Sequence, residues 1–143
     1  MTIYDLVNSQ QTHTVEVGHT VLEVAQMMVH HNIGAVPVQR DGDLVGIFSE
    51  RDLMKRVVAE GRDPGATLVD HVMTEDPLTI HPGESVENCM VLMRHHGFRH
   101  LPVCEGRKLV GMVSLRDLIL HDLTEKDYEV RMMRAYIQAC PEM

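Results

Sequence analysis

Residues 46–52 read GIFSERD, and residues 111–117 read GMVSLRD. The two stretches lie 65 positions apart, and the same offset places Pro37 on Pro102. Across residues 20–53, 13 of 34 positions are identical to their partners without a gap, whereas ordinary composition would give roughly two by chance. This internal similarity predicts two copies of one folded unit, which together fill most of the chain.

Both copies carry the same pattern of elements. Thr20 and Glu23 form a capping-box pattern before an apolar stripe at helical spacing, which predicts a helix with one buried face. Apolar runs at 35–38 and 44–48 flank a turn signal and predict a hairpin, and a second helix is predicted after Ser49. The predicted fold class is therefore α+β (α/β-like), with two tandem βαββα repeats packed as a pseudo-twofold pair, because one such unit buries its sheet on one side only. The predicted boundaries are 1–61 for the first repeat and 62–122 for the second.

The end of the chain, residues 123–143, has no counterpart in the repeat. From Glu125 to about Ala139 it carries a partial helical stripe of Val130, Met133 and Ile137. The sequence therefore predicts an extra C-terminal helix, which either caps the module or pairs with another subunit.

Composition excludes several classes of protein. The formal net charge of −8 disfavours a general nucleic-acid-binding surface, and an aromatic content of 3% disfavours base-stacking platforms. The three cysteines show no CxxC spacing and their number is odd, which favours a reducing compartment. Neither a signal-peptide pattern nor a run of about 18 apolar residues is present. The expectation is a cytoplasmic protein that binds neither nucleic acid nor membrane.

The repeated motifs carry a family resemblance. Residues 33–38 (IGAVPV) lead into 46–52, and residues 98–103 (FRHLPV) lead into 111–117. With VDHVMT at 69–74, they resemble the cystathionine-β-synthase (CBS) domain family, here as a tandem pair. The resemblance implies a Bateman module, which binds adenine nucleotides or related adenosyl ligands in clefts between its repeats and is not an enzyme.

The stretch from Ser49 to Asp52 permits two interpretations. Ser followed by Asp at the third position is a helix-capping pattern, so Asp52 could simply satisfy backbone N–H groups. A helix N-terminus also attracts anions, and the resemblance implies that Asp52 accepts the ribose hydroxyls while Arg99 and His100 present cations to the phosphates. The primary cleft implied by the resemblance consists of Ser49, Arg51, Asp52, Thr79, Ile80, Phe98, Arg99, His100 and Leu101.

A secondary cleft is implied around Asp117. Here Gly34 and Ala35 stand in the positions of Arg99 and His100, and they cannot bind phosphate as an arginine does. We therefore expect the Asp52 cleft to be the stronger phosphate site, with the second cleft holding another nucleotide, a less charged ligand or nothing. Its implied members are Thr14, Val15, Ile33, Gly34, Ala35, Val36, Ser114, Arg116 and Asp117.

Two functional hypotheses follow. The first is a regulatory sensor of AMP, ADP, ATP or S-adenosylmethionine that modulates an unknown protein partner; the alternative is an interaction or dimerisation module with vestigial clefts. A homodimer is expected by family analogy. No metal site is predicted, because the histidines of the pairs at 30–31 and 95–96 are adjacent on a helix and point in different directions.

Overall fold

The computed structural model describes residues 2–8 and 10–139. The chain begins with helix α1 and strand β1, and helix α2 and strands β2 and β3 follow before a short helix, α3. The bounds of these elements are α1 Ile3–Asn8, β1 Val15–Glu16, α2 Val21–His31, β2 Ala35–Arg40, β3 Asp43–Ser49 and α3 Glu50–Asp52. A π-helical turn (Leu53–Val58) and a 3₁₀ turn (Val69–His71) lead on to β4 Thr74–Glu75, α4 Val86–His96, β5 His100–Glu105, β6 Lys108–Ser114 and α5 Leu115–Ala139.

The repeat read from the sequence is confirmed at the level of single residues. Helices α2 and α4, strands β2 and β5, and strands β3 and β6 begin and end at positions that differ by the same 65 residues. Each hairpin also has its register shift at the same place, after Val38 in one copy and after Val103 in the other. The predicted α+β fold class is therefore correct.

One mixed sheet joins the two repeats. Its strand order is β1-β2-β3-β6-β5, with β4 paired to β3. Strands β3 and β6 meet antiparallel at Asp43 and Lys108, which are equivalent residues of the two copies. Lys108 Nζ lies 2.9 Å from Asp43 Oδ1. The pseudo-twofold axis therefore passes between these two residues.

Each repeat has its own apolar core, and each core is completed by the segment that leads into the other repeat. Helix α1 lies at the start of the first repeat, but its Ile3, Leu6 and Val7 pack in the core of the second. Residues 69–73 lead into the second repeat, and their Val69, Val72 and Met73 pack in the core of the first. This exchange makes the pair, rather than either repeat alone, the stable unit.

A glycine in each repeat permits the exchanged segment to approach. A Cβ atom on Gly46 would lie 2.8 Å from the Thr74 carbonyl oxygen and within 2.9 Å of Met73 Cγ. A Cβ on the equivalent Gly111 would lie 3.0 Å from Val7 Cβ. The repeated glycine is therefore required by close packing and not by a special backbone conformation.

The ends of the two repeats differ. In the first, the π-helical turn is followed by Gly61, whose φ of 66° ends the helix, and by Pro64. The matching positions in the second copy are Lys126 and Glu129, so α5 continues unbroken for 25 residues. The predicted C-terminal helix is therefore present but is a continuation of the second repeat, and residues 140–143 lie outside the described part of the chain.

Despite its length, α5 is not apolar enough to cross a membrane, and neither is any other helix in the described residues.

Gly46→Ala should destabilise the fold by about 1–3 kcal/mol, because the added methyl group overlaps the Thr74 backbone and Met73. Urea unfolding of both proteins measures this difference. Gly65→Ala is the matched control, because its Cβ would meet only ordinary contacts at 3.5 Å and beyond. Equal stability of the two variants would contradict the packing role of Gly46.

Candidate functional site

A cleft of about 650 Å³ opens where the first repeat, the start of β5 and the segment 72–85 meet; this segment, called the linker below, joins the 3₁₀ turn to α4. Ligand pockets for small molecules commonly fall in this range of volume. The first repeat lines it with Gly34, Ala35, Ile47, Ser49, Glu50, Arg51 and Asp52. The linker contributes Thr74, Pro77 and Leu78, and the second repeat contributes Gly97, Phe98, Arg99, His100 and Leu101.

The carboxylate of Asp52 is nearly buried, with 8% of the residue exposed. The backbone N–H and the hydroxyl of Ser49 donate to its Oδ2 at 3.0 and 3.1 Å. The Asp52 N–H donates in return to Ser49 Oγ at 3.2 Å, which completes a capping box. Thr74 Oγ1 donates to Oδ1 at 3.1 Å, and Arg56 Nε lies 3.8 Å from the same oxygen. Asp52 therefore does cap its helix, and a ligand hydroxyl that bound Oδ1 would share it with Thr74 or displace Thr74.

The linker reaches Asp52 through the sheet. Strand β4 pairs with β3 so that Thr74 lies opposite Ile47, two residues before Ser49. The guanidinium of Arg56 holds the same segment by donating to the carbonyl oxygen of Met73. The first repeat and the linker are thereby joined at the carboxylate itself.

Charges of both signs line the cleft. Arg51 and Arg99 are exposed and available to an anion, and Glu50 supplies an exposed carboxylate. The backbone N–H of Glu50 donates to the carbonyl oxygen of Gly34 at 3.0 Å, and the Glu50 carboxylate lies over that glycine, 3.4 Å from where a Cβ atom would stand. An acid and two arginines therefore line the same cleft.

His100 lies among these charges. Burial lowers the pKa of His100, the carboxylates of Asp117 and Glu50 oppose this effect, and the guanidinium of Arg99 adds to it. The net pKa lies below the ordinary value of 6.5, so the ring is neutral at neutral pH. Arg99 is therefore positively charged at neutral pH. His100 becomes positively charged only on acidification or when a bound anion raises its pKa.

Apolar side chains form the remaining wall. Leu78 is 39% exposed and Phe98 is 41% exposed, and the Phe98 ring stacks on His96 with ring centroids 5.3 Å apart. Ile47 lies on the opposite side of β3 from the buried Phe48, so it faces the cleft. These surfaces are suited to the faces of a planar heterocycle.

The structure brings most of the predicted primary set together. Ser49, Arg51, Asp52, Phe98, Arg99, His100 and Leu101 line the cleft. The other two members lie elsewhere. Ile80 is 5% exposed and packs in the core of the second repeat, where its N–H donates to the Pro102 carbonyl oxygen. Thr79, next to Leu78, is exposed outside the lining.

The predicted secondary set is divided among several places. Gly34 and Ala35 line the Asp52 cleft, because the Glu50–Gly34 hydrogen bond joins the start of β2 to α3. Val36 is fully buried in the core of the first repeat, and Ile33 packs against that core. Thr14 and Val15 line a smaller pocket of about 390 Å³ beside His19 and Glu23. Ser114, Arg116 and Asp117 lie where β6 passes into α5, and the N–H of Ser114 donates to Asp117 Oδ2 at 3.3 Å.

Sequence reasoning missed several lining residues. The sequence pattern could have predicted Ile47, because it alternates with Phe48 along the strand and shares a face with Ser49. Glu50 lies within the repeated motif at residues 46–52, but it has no charged counterpart in the second copy, where Leu115 occupies the position. Thr74, Pro77 and Leu78 reach the cleft through long-range pairing, which no local pattern indicates.

Comparisons with known proteins agree with this architecture. A family model described as "CBS domain" matches residues 3–59 and 69–123. The CBS domain-containing protein YhcV of Bacillus subtilis is 38% identical over 116 residues, which are 81% of this chain and 82% of that protein.

Solved structures show the same fold. The CBS-domain containing protein ATU1752 from Agrobacterium tumefaciens matches with a TM-score of 0.77 and 31% identity, over 85% of this chain and 99% of that one. The CBS domain pair of protein MJ0100, in complex with 5′-methylthioadenosine and S-adenosyl-L-methionine, matches with a TM-score of 0.76 and 26% identity, over 88% and 98% of the two chains.

The lowered pKa of His100 predicts a pH-dependent stability. Because the folded chain binds this proton less tightly than the unfolded chain, the contribution of neutral His100 is present above pH 6.5 and is lost as the pH falls below it. His100→Gln should therefore reduce the loss of stability on acidification, measured as the shift in urea midpoint between about pH 7.5 and about pH 5.5. His95→Gln, on the exposed surface of α4, is the control. An unchanged shift in His100→Gln would show that this ring does not contribute.

Proposed function

Because the chain belongs to the CBS domain family, we propose that it is a regulatory sensor that binds an adenine nucleotide (AMP, ADP or ATP) in the Asp52 cleft and modulates a protein partner. The observation that supports this most is the composition of the cleft. A buried carboxylate, two exposed guanidinium groups and an apolar wall converge on one cavity large enough for a nucleotide.

Each part of a nucleotide has a partner of suitable chemistry. The base would lie between apolar surfaces that include Ile47, Leu78 and Phe98, with backbone groups reading its edge. The ribose hydroxyls would donate to Asp52, and the phosphate oxygens would accept from Arg51 and Arg99, since guanidinium groups bind phosphate bidentately. The small residues Gly34 and Ala35 leave room for the sugar and phosphates on the first-repeat side.

The relative MJ0100 supports an adenosyl ligand in general, because its structure contains 5′-methylthioadenosine and S-adenosyl-L-methionine. In this chain Glu50 would stabilise a positively charged sulfonium or amino group, whereas the two arginines would stabilise phosphate. S-adenosylmethionine is therefore the competing ligand at the same site, and the balance between Glu50 and Arg99 decides between the two.

A ligand in this cleft touches both repeats and the linker. It would stabilise one relative arrangement of the repeats, and it regulates a partner only if its affinity differs between two arrangements. The regulated partner, a homodimeric assembly and a cytoplasmic location belong to the same proposal.

A second candidate function is protein interaction without a ligand. The exposed C-terminal part of α5 favours it, because Leu123, Val130, Met133 and Ile137 are each at least 45% exposed. Under this alternative the cleft residues would have no ligand role, and the helix would be the functional surface.

Isothermal titration of the purified chain with AMP, ADP, ATP, NADH and S-adenosylmethionine tests the proposal. We expect saturable binding of at least one, weakened about tenfold or more by Asp52→Asn, because a hydrogen bond to a charged group contributes about 1.5–3 kcal/mol. Asp117→Asn is the matched control and should leave this site intact. If no compound binds the wild-type chain, the result favours the interaction function over the ligand sensor. If only Asp117→Asn weakens binding, the ligand occupies the other cleft.

Arg99 should discriminate between ligand classes. Arg99→Gln should weaken the binding of AMP or ATP by about tenfold or more and leave S-adenosylmethionine little affected, because only the nucleotides carry phosphate. Glu50→Gln should act in the opposite direction, strengthening the phosphorylated ligands. Competition binding with a fluorescent adenine nucleotide measures both variants, and equal effects on the two ligand classes would contradict the assigned roles.

A further inference from the structure

The C-terminal part of helix α5 is not covered by the rest of the protein. Every described side chain from Leu123 to Gln138 is exposed. A helical segment of about 16 residues without packing is only marginally stable in water. The ion pairs of Lys126 with Asp122 and of Arg131 with Asp127 lie within the helix, and exposed pairs of this kind contribute little. The segment therefore requires a partner surface to remain helical.

The exposed part of α5 carries a heptad seam. Six positions follow one another at alternating intervals of four and three residues, the spacing of a coiled coil, and five of them are apolar. The seam consists of Ile119, Leu123, Lys126, Val130, Met133 and Ile137, of which only Lys126 is not apolar. The five apolar members are between 42% and 67% exposed. At 1.5 Å per residue the seam is about 27 Å long.

We propose that this seam pairs with the same seam of a second copy of the chain, and that the two helices run antiparallel. The charge along the helix supports this occupant. Acidic residues precede the middle of the exposed segment, and arginines follow it. The acidic residues are Asp122, Glu125, Asp127 and Glu129, with Lys126 among them, and the arginines are Arg131 and Arg134. An antiparallel pair centred between residues 131 and 132 brings Asp127 and Glu129 of each helix close to Arg134 of the other.

Charge also decides against the parallel arrangement. In a parallel pair in register, Lys126 would lie against Lys126 of the second copy inside the seam, and Asp122 would flank Asp127. Glu129 would flank Arg134 favourably, but this pair does not remove the two like-charge contacts. In the antiparallel register that faces Val130 with Met133, Lys126 instead faces Ile137. There its aliphatic stem covers apolar surface while its ammonium group reaches water. The same register places Asp127 beside Arg134.

The seam and the ligand cleft are separate surfaces. No seam residue lines the cleft around Asp52. Pairing through α5 would supply the homodimeric assembly of the proposed function while leaving that cleft open, and the two properties can be measured independently in the 143-residue chain.

Analytical ultracentrifugation of the 143-residue chain tests the pairing. We expect a dimer at tens of micromolar, and Val130→Glu should raise its dissociation constant about tenfold or more, because it buries an unpaired carboxylate. Met132→Glu is the matched control, since Met132 is similarly exposed (53%, against 45% for Val130) but lies about 200° around the helix. A monomeric wild-type chain, or equal dimerisation of both variants, would overturn the proposal.

Disulfide cross-linking tests the direction. In a Cys140→Ser background, chains carrying Lys126→Cys are mixed with chains carrying Ile137→Cys and then oxidised; the native Cys89 and Cys104 are buried. An antiparallel pair yields a disulfide between the two different variants and little between identical ones. Disulfides that join two Lys126→Cys chains, or two Ile137→Cys chains, would show a parallel pair and overturn the antiparallel assignment.

Discussion

The exchange of lead-in segments holds this structure together. Residues 69–73 complete the core of the first repeat, and α1 completes the core of the second, so neither repeat encloses its apolar residues alone. Gly46 makes the exchange possible on one side, because only a residue without a Cβ atom lets Met73 and Thr74 approach the strand. The consequence reaches the cleft directly, since the same approach brings the Thr74 hydroxyl to Asp52. The same contacts therefore pack the core and form the site.

The cleft is arranged around a carboxylate that already has partners. Asp52 accepts hydrogen bonds from Ser49 and Thr74, which fix its orientation and satisfy its oxygens in a nearly buried place. A ligand hydroxyl at Oδ1 would share this oxygen with Thr74 or displace Thr74, and Thr74 belongs to the linker that leads to α4. Binding at Asp52 would thus change the contacts of the linker. This gives the proposed sensor a physical means of converting ligand binding into a structural change. His100, neutral because it is buried, adds a group whose charge depends on what lies beside it.

The two copies share a fold but differ in their chemistry. The bounds of their hairpins and first helices correspond at the constant offset, and Ser49, Arg51 and Asp52 recur as Ser114, Arg116 and Asp117, while other positions that line the cleft differ. Arg99 and His100 stand against Gly34 and Ala35, and Glu50 stands against Leu115. After the second helix, Gly61 ends the first copy where Lys126 lets α5 continue. Differences on a repeated scaffold thereby give a charged cleft on one side and a projecting helix on the other.

By itself, the sequence determined the features that depend on local order and on the repeat: the hairpins, the capped helices and the α+β class. The convergence of Ser49, Arg51 and Asp52 with the segment from Phe98 to Leu101 was implied by the resemblance to CBS domains and not by a local pattern. Capping, alternation and helical spacing are short-range rules, and a constant offset of 65 residues relates one copy to the other. Only the tertiary structure decided that Ile80 is a core residue, that Gly34 and Ala35 lie on the Asp52 side, and that Thr74 and Leu78 complete the cleft. Those placements depend on which strands pair across the pseudo-twofold axis and on the exchange of lead-in segments. Such contacts join residues far apart in the chain, and their free energy is set by the packing of both repeats together.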